Sequence, residues 1–114
     1  KEEIILNNNN SISINSNESD LIFQVWDSKK ADGDRIRLII NNKIILNDYE
    51  VSNKKKLIKV SLNKTENVIK IIATSIGKQK PNTVGVEIIS SKYIYPFLTK
   101  LDINESAEIK INLK

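Results

Sequence analysis

Three aspartates form the one pattern in this chain with a chemistry of its own. Asp27 ends a strand-like run, Leu21 to Trp26, and Asp32-Gly33-Asp34 precedes an alternating run that resumes at Arg35. Carboxylates on a tight loop offer hard oxygen ligands, and calcium takes six to eight of these at about 2.3–2.6 Å. Gly33 lets the chain turn sharply between the last two aspartates. A donor set of oxygens alone, without histidine or cysteine, disfavours zinc. The loop is not an EF-hand, because it lacks the alternating ligands and the terminal glutamate, and strands flank it. A metal-free reading stands beside the calcium one. Asp-Gly in a β-connection makes a turn whose aspartate accepts backbone N–H groups, with Lys29, Lys30 and Arg35 as counter-charges. Either way, Asp27, Asp32 and Asp34 are expected to converge near Gly33.

Catalysis is not expected. Paired carboxylates can cleave glycosides, but both would sit on one short loop, and lysine neighbours oppose the raised pKa that the acid needs. The chain has no cysteine and no histidine. Thiolate chemistry, disulfides and the commonest general base are therefore absent. Its serines and lysines match no nucleophile motif in a strand–turn–helix setting.

Tyr93, Tyr95 and Phe97 fall on one face of a period-two run. Such a strip can stack on sugar rings or line a protein interface, or it can fill one end of a core. Trp26 carries the same alternatives, as a binding aromatic, a core residue or a shelter for the acidic loop. The net charge is +4, from 18 Lys and Arg against 14 Asp and Glu. Most of these bases are scattered lysines, and the two arginines sit two apart on one strand, so no nucleic-acid stripe is present. No stretch reaches about 18 apolar residues, so no transmembrane helix is expected.

The elements that must position these residues are strands. The chain holds 21 isoleucines among 114 residues, and β-branched side chains favour strands. Alternating runs are broken at short intervals by Asn, Ser, Asp, Gly or Lys clusters, the mark of a sandwich or barrel. Inward sets are Ile12 and Ile14; Leu21, Phe23 and Val25; Ile36, Leu38 and Ile40; Ile58, Val60 and Leu62; Ile69, Ile71 and Ala73; Val84, Val86 and Ile88; and Ala107, Ile109, Ile111 and Leu113. Asn41-Asn42 suits a two-residue hairpin. Pro96 belongs on an edge strand or at a bulge. One helical turn around Leu101 to Glu105 is left open. The expected fold is all-β: a single domain over residues 1–114, an antiparallel β-sandwich of about eight to nine strands, Ig-like or jelly-roll. The chain opens on Lys1, as expected of a mature product or an excised domain.

At two loops the chain resembles a small, uncharacterised β-sandwich domain of exported or surface-associated Bacteroidetes proteins. Asp27 matches that domain's strand-end aspartate, and Asp32, Gly33 and Asp34 match its Asp-Gly-Asp. Asn41 and Asn42 stand where it has Asn-Gly. Ser75, Ile76, Gly77, Lys80, Pro81, Asn82 and Thr83 match its later Pro-Asn-Thr segment, with Ser75 replacing an asparagine and Lys80 the first of two prolines. The resemblance spans about Val25 to Ile88. It implies an extracellular or cell-surface location. Gly77, Pro81, Asn82 and Thr83 are expected in a structural loop that buttresses Gly33 and the aspartates. These readings together predict a non-catalytic accessory domain that recognises a polysaccharide or another protein, with calcium or no cofactor. The alternative is a structural or assembly domain that pairs through an exposed edge strand.

Overall fold

The computed structural model describes residues 3–27, 32–78 and 80–114. Alternation at period two yields ten strands, with no helix among the described residues. In chain order they are β1 (Ile4–Leu6), β2 (Ser11–Ser16), β3 (Asp20–Trp26), β4 (Asp34–Ile40), β5 (Lys43–Glu50), β6 (Lys56–Ser61), β7 (Glu66–Ile76), β8 (Asn82–Ile89), β9 (Ile94–Leu101) and β10 (Ser106–Leu113). They form two five-stranded sheets, ordered β1-β9-β8-β3-β6 and β2-β10-β7-β4-β5. The sandwich expected from the sequence is what the chain builds.

The core follows the alternation closely. Phe23, Ile36, Leu38, Ile69, Ile71, Ile88, Phe97, Ile109 and Ile111 are at most 1% exposed. Each such side chain contributes about 1.5–3 kcal/mol of burial. Along β4 the same phase leaves Arg35 and Arg37 half-buried on the outer face.

Four details differ from expectation. The strands number ten rather than eight or nine, because both short N-terminal runs pair. These two pair in parallel, β1 with β9 and β2 with β10. Each docks beside a strand from late in the chain, a long-range choice that local periodicity does not encode. Pro96 lies on an inner strand, but β1 begins opposite Phe97, so the proline sits just past the end of β1. Leu101 to Glu105 forms a turn with Asn104 at φ 67° rather than a helical turn. The Asn41-Asn42 hairpin is present, with φ values of 50° and 66°. Val68 N–H donates to Asn41 Oδ1 at 2.9 Å, which locks that turn against β7.

Among the described strands, β4–β5 and β8–β9 are the hairpins within a sheet, and the other consecutive pairs lie in different sheets. The connections therefore gather at the two ends of the sandwich. One end collects Asp27, Gly33, Val51 and Gly77. The other collects residues 17–19 and 90–93.

Candidate functional site

The first end is built around Asp34, which opens β4 opposite Ile76 of β7. Gly33, at φ 99°, turns the chain into it. Asp27 follows β3, and its N–H donates to the Ser52 carbonyl at 2.7 Å. Its own carbonyl accepts from Asn53 Nδ2 at 3.1 Å. One carboxylate oxygen each from Asp27, Asp32 and Asp34 lies within 4.8 Å of the others. The expected convergence is therefore present, and it is deep: Asp27 and Asp34 are each 2% exposed.

The loop between β7 and β8 buttresses the cluster as the sequence suggested. Lys78 N–H donates to the Asp32 carbonyl at 3.2 Å. Gly77 lies so close that a Cβ there would stand 2.6 Å from the Asp32 carbonyl oxygen and 2.7 Å from its Oδ1. Its φ of 66° is also a glycine conformation. Thr83 N–H donates to Asp34 Oδ2 at 3.1 Å. Asn82 is fully buried, and its amide donates to the carbonyls of Arg35 at 3.0 Å and Ser75 at 2.7 Å. Pro81, exposed and preceded by a cis peptide, leads the chain into Asn82. A third brace was not foreseen: Val51 N–H donates to the Asp34 carbonyl at 3.0 Å, and Asn53 holds Asp27. The Ser52-Asn53 pair reads only as a loop in sequence, since nothing there marks its partner.

Burial pushes the Asp34 carboxyl up to about 7, with Thr83 N–H opposing the rise and the neighbouring Asp32 and Asp27 adding to it. Asp34 Oδ1 is buried, and the Asp32 carboxyl stands beside it as a hydrogen-bonding neighbour that favours the protonated form. Arg35 does not neutralise this group. It faces outward and pairs with Asp48 at 3.2 Å and Glu50 at 3.0 Å. Lys29 and Lys30, the other expected counter-charges, lie outside the described residues. Oxygens that share one calcium at about 2.3–2.6 Å stand no more than about 5 Å apart, and this trio meets that limit.

The aromatic residues divide. Phe97 is 0% exposed and belongs to the core, so it is not part of a binding strip. Its position midway along β9 points it between the sheets. Tyr95 is partly buried at the end of that core, and Tyr93, just before β9, is 61% exposed. Their ring centroids are 6.0 Å apart with planes inclined by 38°. Trp26 lies on the outer face of its sheet, directly over Gly85, where a Cβ would come within 2.6 Å of the indole. Lys55 Nζ caps the ring at 4.5 Å from its centroid and pairs with Glu87 at 3.1 Å. A ligand stacking on Trp26 must first displace that lysine.

No family model matches the chain, and no curated protein or solved structure matches it.

Proposed function

We propose that this chain is a non-catalytic binding module of an exported or surface-associated protein, braced at one end by calcium. In this reading it recognises a polysaccharide or another surface protein. The observation that carries it is Asp34, a carboxyl 2% exposed that stands with an oxygen each of Asp27 and Asp32 inside 4.8 Å. Three carboxylates brought together under burial repel one another and are costly as anions even with Thr83 N–H donating to one of them, and a hard cation offsets that cost. Asp27 and Asp34 are too deeply buried to meet a sugar, so in this reading the cluster is structural and recognition falls to the surface. Exported location rests on the resemblance at the two loops.

Thermal unfolding in millimolar calcium and then in chelator tests the brace. Calcium raises the melting temperature, and at a hundredfold excess over Kd the gain is roughly 2.7 kcal/mol. Equal melting curves in calcium and chelator leave Asp-Gly-Asp as a turn. A glycan array probed with the domain tests the recognition half.

A second reading, assembly through an edge strand, is favoured by Ile44 on β5 and Leu57 on β6, which are 54% and 48% exposed on two of the four edge strands. Against it, β5 is irregular in register, and Lys56 and Lys59 line β6, both guards against edge pairing. Concentration-dependent self-association in sedimentation would mark that reading.

A further inference from the structure

We infer that the groove at the end opposite the aspartates binds an acidic polysaccharide, with Tyr93 as the stacking platform and Lys92 and Lys114 as counter-charges. The inference rests on the recognition-module reading and names its ligand class. The groove measures about 510 Å³, and Asn17, Glu18, Lys92, Tyr93, Tyr95 and Lys114 contribute to its lining. A sugar ring presents an apolar C–H face and a rim of hydroxyls. Tyrosine offers that face a large flat surface with a polar tip. Tyr95, inclined to Tyr93, makes a corner rather than a second parallel plate, which suits a polymer running along the groove.

The platform is held before any ligand arrives. Ser90 N–H donates to the Tyr93 carbonyl at 2.9 Å, and Tyr93 N–H donates to Ser90 Oγ at 2.9 Å. Across the groove, Glu18 accepts from Ser91 Oγ at 2.6 Å and from Ser91 N–H at 3.1 Å, which ties the two walls together. A preorganised wall loses little entropy on binding. Those Ser91 bonds also hold the Glu18 carboxyl below its usual range, so it accepts from sugar hydroxyls and does not supply a proton.

Charge selects among sugars. Two lysines stand against the single Glu18 carboxylate in the lining; Lys92 acts on that carboxylate, which leaves Lys114 as the excess side-chain charge, on a chain of +4 overall. Uronate carboxylates complement it. A protein partner would want a broad patch with an apolar centre, whereas this groove is walled mainly by asparagine, serine and lysine.

Calorimetry on the full chain at low ionic strength, with an oligogalacturonate, a neutral oligosaccharide of similar length and polyglutamate, tests this inference. The uronate should bind at least about tenfold tighter than the neutral sugar, and polyglutamate should not compete. Tyr93→Ala, at an exposed position, should keep its melting temperature and lose about tenfold or more in affinity, while Tyr93→Phe retains binding. Lys92→Ala should bring the uronate towards the neutral sugar. Wild-type affinity in a folded Tyr93→Ala, or equal competition by polyglutamate, overturns the inference. If another glycan or protein binds and survives Tyr93→Ala, the module reading stands and the groove falls. If nothing binds on an array or in pull-down, both fall.

Discussion

Asp34 concentrates the tension in this molecule. Its carboxyl has an ordinary value of 3.8 and rises to about 7 in the fold, with burial as the main cause. Between those values the folded state keeps a proton that the unfolded chain has released. Stability without metal therefore falls as pH rises from about 4 through about 7, at no more than about 1.4 kcal/mol per pH unit. Asp34→Asn removes the charge and keeps an acceptor for Thr83 N–H. The variant should be more stable than wild type in chelator at neutral pH, by on the order of 2 kcal/mol. It should also lose its response to calcium. Chemical denaturation at pH 5 and pH 7.5, with and without the ion, measures both effects. A wild-type pH profile that is flat in chelator would remove Asp34 from this account.

Among the elements, the outer face of β3 and β8 depends on one small residue. Gly85 pairs with Trp26 across the ladder and leaves the indole no room for a neighbouring Cβ. Lys55, reaching from the loop before β6, then covers the ring and meets Glu87. Gly85→Ala should push the indole off the sheet and cost about 1–3 kcal/mol, as overpacking does. Trp26 is the only tryptophan, so its emission reports the displacement directly. The expected result is a red-shifted emission with a lower melting temperature. An unshifted spectrum would mean the ring adjusts in place.

At the scale of the molecule, the aspartates and the tyrosine groove stand at opposite ends of β3, separated by roughly 20 Å of extended chain. Ten strands share one core between them. Calcium should therefore act on global stability and leave the groove's geometry alone. Below the melting transition, chelation is expected to change uronate affinity by less than about twofold, while the melting temperature drops. Paired calorimetry and thermal unfolding on one preparation check this. A large loss of affinity in chelator would show the two ends to be coupled.

The alternation of isoleucine, leucine and valine by itself determined the strands and their inward faces, because a period of two admits one buried side per strand. Asp27, Asp32, Gly33 and Asp34 were legible too, since aspartates around a turn glycine signal backbone that must bend, whereas Gly77 and Asn82 read as loop alone and were expected at the site only from the resemblance. The parallel docking of β1 and β2 was not legible, nor was the Val51–Asn53 brace, because both join residues far apart in the chain. Phe97 and Tyr93 share a period-two phase, and sequence gives them equal claim to the surface. Only the length of the sandwich separates them: Phe97 falls between the sheets, while Tyr93 lies past their end, where the core runs out and solvent begins.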